Sequence, residues 1–400
     1  MQINFRIVLI LIGILLVFGL IVWGINSKPE PPEPTPTSVP TRVIRILGAG
    51  PTFTDPLIHQ LFLDKYNVDV QVASGSDLYN FKPDGKNVDF AGIAVIFGGQ
   101  STAGEELMAM YPDGLPSSSG SPIPIRGPFI TTGQSPLGLH VRTTDLPAFS
   151  QAGLIYERDG SWFINGASFT QMIGCAASNS PWESIGVNLL GSCSFGFPNP
   201  PQSSGGRYTL AYIASCLASE PGRECQTTIS PEQVSAYIPE LVNIWKNSGK
   251  APGDEGSVDF FYAWANSSNP PQRVVLALEA APFSWLLKVS PSFYDSALQH
   301  ITMVYPEYGF MNTQTAVILN EDGKWLVNTM LTDQDFLTIE TERVGFRIGF
   351  GSTMPVDIYS WVLKDAALTT TLPDPRAEVY SAIKAGICEA APTTPGCVKK

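Results

Sequence analysis

The sequence has little charge and almost no histidine. Charged residues make up 15% of the 400 residues, and the three histidines are His59, His140 and His300. None of them lies near a cysteine or an aspartate in a catalytic pattern, and no G-x-S-x-G, H-E-x-x-H or Walker motif occurs. We therefore expect a protein that is not an enzyme, with no catalytic residues, no bound metal and no cofactor.

Basic residues are also scarce. The 24 lysines and arginines are outnumbered by 36 aspartates and glutamates, which gives a net charge of −12 and argues against a nucleic-acid partner. The 34 prolines and 36 glycines indicate a loop-rich, exported α/β protein. The length is sufficient for two globular units or for one bilobal unit.

The longest apolar run lies at the N-terminus. Residues Ile7 to Trp23 are apolar or glycine, and with their neighbours they just span a hydrocarbon core of about 30 Å. No A-x-A-like cleavage signal follows, so we predict an uncleaved signal anchor over residues 1–27 that crosses the cell membrane once through residues 7–25. A cleaved signal peptide is the alternative. A proline-rich linker over residues 28–42 then holds the globular part outside the cytoplasm.

All six cysteines lie beyond the apolar run. An even number of cysteines outside the cytoplasm favours disulfides, and no C-x-x-C motif points to metal binding. Six cysteines allow many connectivities, and the sequence does not choose among them. Pairing between neighbours is our hypothesis: Cys175 with Cys193, Cys216 with Cys225 and Cys388 with Cys397.

Strand and helix patterns alternate after the linker. A helix begins at Pro56, with Thr54 or Asp55 as its cap, and strands are predicted over Arg42–Gly48, Val68–Ala73 and Asn87–Ile96. This order predicts the start of a parallel sheet, where the residues that follow successive strands meet at one edge. Those residues are Thr52, Phe53, Ser74 and Ser76. The chain from Gly98 to Ser135 is rich in Gly, Ser and Pro and is predicted to form loops.

A serine pair before two glycines opens a later helix. The stretch Phe195–Leu217 is typical of a short strand, a proline-rich turn and a helix that begins at Ser203-Ser204-Gly205-Gly206. Hydroxyls and uncovered backbone N–H groups at a helix start can hold a polar or anionic small molecule. The alternative is that Ser204 only caps the helix and the glycines only form the turn.

Weaker patterns complete the chain. A hairpin turn is predicted at Asp159-Gly160 and a helix from Ser230 to about Asn247. Glu279 ends an apolar strand, so it either faces a ligand cleft or forms a salt bridge at a hinge. Further strands are predicted over Arg273–Glu279, His300–Pro306 and Thr313–Leu319, and further helices over Trp325–Leu331, Asp333–Thr341 and Pro375–Ala385.

In this order the motifs resemble those of the type 2 periplasmic, or extracellular, solute-binding proteins of ABC importers. The segments that carry the likeness are Ile46–Pro56, Val88–Gly92, Pro200–Tyr208, Met303–Leu319 and Thr338–Arg347. The resemblance implies an α/β fold of two lobes that are joined by crossing strands, with the ligand in the cleft. The first lobe would comprise residues 43–137 and 305–360, the second residues 138–304, and residues 361–400 would form a C-terminal helix and a disulfide-closed tail.

The first-strand loop and the second-lobe loop are similar to those of phosphate-binding members. That likeness implies ligand donors on one side from Thr52, Phe53, Ser74, Gly75 and Ser76, and on the other from Ser203, Ser204, Gly205 and Arg207. Glu279 is a further candidate.

Two departures from the phosphate-binding pattern leave the ligand open. The relatives have an arginine shortly before the Ser-Gly loop, where this chain has Asn199-Pro200-Pro201-Gln202. They also have an aspartate after the third strand, where this chain has Ala94-Val95-Ile96. Arg207 could replace the missing charge if its side chain turns back over the start of its own helix.

The function that the resemblance implies is ligand capture for transport. A monomeric, membrane-tethered binding protein would hold a small polar or anionic molecule and deliver it to the permease of an ABC importer. The alternative is an extracellular sensory or protein-interaction module that has the same bilobal fold and no transport role.

Overall fold

The computed structural model describes residues 42–48, 50–73, 90–99, 101–201, 203–219, 225, 229–248, 261, 263–265, 267, 272–282, 300–347, 370–394 and 397. They belong to one compact unit that begins at Arg42. The predicted anchor over residues 1–27 lies outside these residues, as does the predicted linker apart from Arg42, which starts the first strand. Within the described ranges, no helix has the length and the apolar character needed to cross a membrane.

The strands form one mixed sheet. In chain order they are β1 (Arg42–Leu47), β2 (Val68–Val72), β3 (Ile93–Gly98), β4 (Ile130–Arg142), β5 (Tyr156–Arg158), β6 (Ser161–Ile164), β7 (Phe195–Gly196), β8 (Val274–Leu278), β9 (Ile301–Pro306), β10 (Tyr308–Ile318) and β11 (Thr370–Leu372). The main order is β2-β1-β3-β10-β4-β9-β6-β5. In addition, β8 pairs with β4 and β7, and β11 pairs with β10.

Helices connect and cover these strands. They are α1 (Gly50–Thr54), α2 (Pro56–Tyr66), α3 (Ala103–Met110), α4 (Leu146–Gln151), α5 (Gly166–Ala177), α6 (Ser204–Leu217), α7 (Pro231–Asn247), α8 (Glu321–Thr332), α9 (Gln334–Ile339) and α10 (Ala377–Ala390). A 3₁₀ turn covers Trp182–Ile185, and a π turn covers Glu340–Val344.

We call the part built on β1, β2, β3 and the end of β10 the first half. β1 runs parallel to β2 and β3, as the sequence predicts. One hydrophobic cluster joins these strands to α2, α8 and α9 and includes Ile44, Phe62 and Leu326. Another joins them to α3 and includes Ile96 and Leu107. All six residues of β3 are buried, because helices cover the strand on both faces.

We call the part built on β6 to β9 and the end of β4 the second half. Its core packs these strands against α4, α5, α6 and α7, and it includes Leu139, Phe169, Tyr212, Leu241 and Val304. The C-terminal helix α10 belongs to the same core through four buried side chains, Val379, Tyr380, Ile383 and Ile387. The lobe boundaries given by the sequence stay a prediction.

Two long strands run from one half into the other. Residues 311–316 of β10 pair antiparallel with residues 130–136 of β4. From there β10 continues onto β3, while β4 continues onto β8 and β9. The halves are therefore connected through β4 and β10, and the second of these strands begins at Tyr308, five residues before the predicted start.

Capping residues explain where several helices begin. Asp55 precedes α2 and accepts a hydrogen bond from the backbone N–H of Leu57 at 2.8 Å. Ser230 and Gln233 form a reciprocal capping box at the start of α7, where the sequence predicts that the helix begins. Asn320 caps α8 and Asp333 caps α9 in the same way, through side-chain oxygens that accept backbone N–H groups.

The prediction that residues 98–135 form only loops is wrong. Helix α3 occupies part of this stretch, and β4 begins at Ile130. Gly104 makes this helix difficult to predict from the sequence, because glycine disfavours helices. A Cβ atom at this position would lie 2.5 Å from the ring of Phe129, so close packing requires the glycine.

The hypothesis that neighbouring cysteines pair is confirmed. Cys175 bonds to Cys193, Cys216 to Cys225 and Cys388 to Cys397. The Cα atoms of these pairs lie 5.6, 4.1 and 5.1 Å apart. The second bridge ties the end of α6 to the chain that follows it.

Candidate functional site

Thr52 and Phe53 lie on α1, directly after β1. Thr52 is completely buried, and its hydroxyl donates to Oε1 of Glu340 at 2.8 Å. The Phe53 ring packs 6.0 Å from the ring of Phe62 and 5.7 Å from that of Phe97, so it belongs to the core of the first half. The side chain of Phe53 therefore has a structural role, and any ligand contact would come from its backbone.

Glu340 is a neighbour of Thr52 that the sequence did not mark as a site residue. It opens the π turn, and its side chain is buried beside the carboxylate of Asp55. Burial is the main cause that raises the pKa of Glu340 to about 8, and the nearby carboxylate of Asp55 also raises it. The hydrogen bond from Thr52 lowers the pKa. Asp55 itself binds Nε of Arg343 at 2.7 Å. The raised pKa favours the protonated, uncharged form of the Glu340 carboxyl beside Thr52.

The start of α6 packs closely against the turn that precedes it. Ser203 is the N-cap residue, although its hydroxyl does not cap the helix, and its backbone N–H donates to the carbonyl of Asn199 at 2.8 Å. A Cβ atom on Gly206 would lie 2.2 Å from the carbonyl oxygen of Pro198. Gly206 therefore lets the proline-rich turn and the helix meet, which is part of the structural role that the sequence left open.

Arg207 turns back over the start of its own helix. Its side chain is fully buried, and Nη1 donates to the carbonyl of Pro200 at 2.9 Å. This is the geometry that the sequence required if Arg207 were to replace the missing arginine. The guanidinium therefore lies against the turn before α6, near the end of the helix where the dipole is positive.

Glu279 is completely buried and makes an ion pair. It follows β8, and both of its carboxylate oxygens accept hydrogen bonds from Arg347. Tyr305, at the end of β9, donates its hydroxyl to the same carboxylate at 2.6 Å. Of the two roles that the sequence allowed for Glu279, the structure shows the salt bridge.

The predicted site residues thus fall into separate parts of the fold. Thr52 and Phe53 belong to the first half, whereas Ser203, Ser204, Gly205 and Arg207 belong to the second. Ser74, Gly75 and Ser76 lie outside the described residues. A crevice beside Leu137, Tyr305 and Thr371 contains none of the predicted residues and encloses no space for a ligand.

His140 is a buried histidine whose contacts are structural. It lies in β4, its Nε2 is 3.2 Å from the carbonyl of Leu278, and its ring packs edge-on against Phe261. Burial lowers its pKa to about 4. In the part of the chain that the structure covers, no group of histidine, cysteine, aspartate or glutamate side chains has the arrangement of a metal site.

Comparisons with known proteins show that this chain is similar to several of them in structure. A periplasmic thiamin-binding protein superposes with a TM-score of 0.53 and 14% identity, over 88% of this chain and 95% of that one. The chain has the fold of the periplasmic solute-binding proteins. An extracellular solute-binding protein from Bordetella parapertussis gives a TM-score of 0.50 and 13% identity, over 87% of this chain and 98% of that one. No protein-family model and no curated protein sequence matches.

The solute-binding fold confirms the predicted α/β class for the globular part. The superposed proteins are described as binding proteins. The likeness does not single out the phosphate-binding branch that the motifs suggested.

Two contacts between distant residues were not predicted from the sequence. Glu340 lies within the segment Thr338–Arg347, which carried part of the resemblance, but its contact with Thr52 joins residues far apart in the chain. Asp374 contacts Tyr208 of α6, and no motif marked the acid. Hydrophobic periodicity gives no sign of either contact, because each joins polar groups from distant segments.

Proposed function

We propose that the chain is a membrane-tethered, extracytoplasmic solute-binding protein that captures a small polar or anionic molecule and delivers it to an ABC importer. The observation that carries the proposal is the start of α6, where the buried Arg207 guanidinium reaches back to the carbonyl of Pro200, in the turn that precedes Ser203. The solute-binding fold supports the same reading.

The chemistry of this helix start favours a ligand with negative or strongly polar oxygens. Backbone N–H groups in the first turn of a helix have no partners within the helix, and the dipole adds a partial positive charge. Ser203, Ser204 and Gly205 would supply hydroxyl and amide donors. The guanidinium of Arg207 would add a full positive charge close to the ligand, from a side chain that is buried rather than flexible at the surface.

The opposing donors would come from the first half. Thr52 and the backbone of Phe53 follow β1, at the carboxyl edge of the parallel strands. Ser74, Gly75 and Ser76 lie outside the described residues and stay predicted donors. Because its raised pKa favours the uncharged form, Glu340 would add little repulsion toward an anion beside Thr52. This chemistry supports an oxyanion or a polyhydroxylated molecule over a cation.

Ligand binding would favour the state in which both halves contact the ligand. β4 and β10 are the strands that connect the halves, and the Glu279–Arg347 ion pair lies beside them. We propose that bending takes place in these strands, and that the ligand stabilises the closed state only through contacts that the open state lacks.

A thermal-shift screen of the purified chain tests the proposal. Inorganic phosphate, sulfate, citrate, sugar phosphates, neutral sugars and amino acids are added in turn. A ligand at 100-fold excess over its Kd stabilises the folded state by about 2.7 kcal/mol, which raises the melting temperature measurably. We expect stabilisation by an anionic or polyhydroxylated compound. A screen in which only cationic amino acids or polyamines stabilise the protein would contradict the ligand class.

A further inference from the structure

We propose that the C-terminal segment, residues 370–390, is a clasp that ties the two halves of the fold together and limits their opening. The clasp consists of β11, the Asp374 side chain and α10. The clasp would determine how readily the two halves open around the proposed ligand site. It rests on the proposed function in one respect, since it assumes that the two halves move.

The clasp begins by adding a strand beside a connecting strand. β11 pairs in parallel with the start of β10, with Thr370, Thr371 and Leu372 opposite Tyr308, Gly309 and Phe310. Leu372 is 1% exposed and packs into the core of the second half. The segment is therefore anchored at the base of β10, where that strand leaves the second half.

Asp374 then contacts both halves. Its Oδ1 accepts a hydrogen bond from the hydroxyl of Tyr208, on α6 of the second half, at 3.0 Å. Its carboxyl also faces Ser101, which lies between β3 and α3 in the first half. One carboxyl group thus bridges two elements that would separate if the halves opened.

The Tyr208 side chain is well placed to act as a fixed donor. It is 1% exposed and packs against the rings of Phe310 and Tyr380. Burial and the neighbouring Asp374 and Tyr380 hold its pKa well above the ordinary value, so the phenol keeps its proton. Since the ring cannot move without disturbing the core, its hydroxyl holds Asp374 in one position.

Helix α10 anchors the far end of the clasp. It packs against α6 and α7 of the second half and also reaches α3 of the first half. A Cβ atom on Gly386 would lie 2.6 Å from the side chain of Ile238, so α10 approaches α7 very closely. The bridge at Asp374 is consequently attached to a rigid part of the second half, as a clasp requires.

The test measures the distance between the halves in the full-length chain. All six native cysteines are in disulfides, so two introduced cysteines can be labelled selectively. L57C on α2 and L190C in the second half replace side chains that are 50% and 81% exposed. Single-molecule fluorescence transfer between the labels gives the ratio of open to closed molecules without any ligand.

Tyr208→Phe and Asp374→Ala are compared with Tyr212→Phe. Tyr212 lies one turn further along α6, and its hydroxyl donates to the carbonyl of Tyr308 at 2.7 Å, a contact that does not involve the first half. We expect Tyr208→Phe and Asp374→Ala to raise the open-to-closed ratio by about two- to tenfold, the effect of one net hydrogen bond. Tyr212→Phe should leave the ratio unchanged.

Tyr208→Phe keeps the ring and its packing, so it carries the test if Asp374→Ala does not fold. A ratio for Tyr208→Phe equal to that of Tyr212→Phe would overturn the clasp, even if the ligand screen succeeds. A raised ratio for Tyr208→Phe supports the clasp even if the screen yields no ligand, in which case the proposed function alone fails.

Discussion

Arg347 holds Glu279 through two parallel hydrogen bonds. Nε of Arg347 lies 2.8 Å from Oε2 of Glu279, and Nη2 lies 2.7 Å from Oε1. Both side chains are at most 2% exposed. Arg347 and Gln134 also exchange two backbone hydrogen bonds, and the backbone N–H of Glu279 donates to the carbonyl of Pro136. The ion pair therefore ties the end of β8 and the segment at Arg347 to β4.

Replacing Glu279 by glutamine should lower the free energy of unfolding by about 3–5 kcal/mol, because the variant removes the carboxylate that faces the buried Arg347 guanidinium. Urea unfolding followed by tryptophan fluorescence measures the loss. Glu307→Gln is the matched control, since the Glu307 side chain is 27% exposed and lies 3.5 Å from Arg158. The control should lose less than about 1 kcal/mol. Equal losses would contradict the structural role of Glu279.

Glu340 should make the folded state less stable as pH rises. Burial raises its folded pKa from an ordinary 4.5 to about 8. The unfolded chain therefore binds fewer protons between these two values, and the stabilisation by the neutral carboxyl is lost as pH rises through that window. The slope due to this group is at most about 1.4 kcal/mol per pH unit.

Glu340→Gln tests this pH dependence. The glutamine keeps the shape of the side chain and does not titrate, while the Asp55–Arg343 ion pair is left in place. The free energy of unfolding of the variant, measured from pH 5 to pH 8, should fall less steeply than that of the parent chain. Parallel curves would show that Glu340 does not hold its proton in the folded state.

Local signals in the sequence predicted much of the framework. Asp55 before Pro56 and Ser230 before Pro231 mark helix starts with groups that accept backbone N–H bonds, and both helices begin there. The Asp159-Gly160 hairpin joins β5 and β6 as expected. These features depend on a few adjacent residues, so a single sequence contains the information.

Contacts between distant segments could not be predicted in this way. The Thr52–Glu340 pair joins residues 288 positions apart, and the Tyr208–Asp374 pair joins residues 166 positions apart. Glu279 illustrates the limit, because its place at the end of an apolar strand suits a ligand residue as well as a salt bridge. Its partner Arg347 becomes evident only when β4 and β8 are paired.

The disulfide at the end of α6 should stabilise the fold more than the one in the tail. Both bridges join cysteines nine residues apart, so the entropy of loop closure is the same. Cys216 and Cys225 are buried, whereas Cys397 is partly exposed. Replacing both members of the first pair by serine should cost about 2–4 kcal/mol, and more than the same change in the Cys388–Cys397 pair.

Chemical unfolding of the two double variants measures the difference, and mass mapping of unreduced digests checks the connectivity. Equal losses of stability would contradict the importance of burial around Cys216. A cross-linked peptide that joins Cys216 to any cysteine other than Cys225 would contradict the pairing itself.

The central claim is that the start of α6 binds the ligand, and the Ser203→Ala/Ser204→Ala variant tests it most directly. The Ser203 hydroxyl makes no capping hydrogen bond, so its replacement does not remove a helix cap. Ser230→Ala is the control, since its hydroxyl accepts from the backbone N–H of Gln233 at 3.2 Å in a true cap. That control should lose about 1 kcal/mol of stability and no affinity.

Isothermal titration of the strongest ligand from the screen gives the decisive comparison. The double variant should bind at least about tenfold more weakly than the parent chain, because it lacks two hydroxyl donors, and its melting temperature should stay close to that of the parent. Unchanged affinity in the double variant, measured at the same pH and salt concentration, would contradict the assignment of the ligand to this helix start.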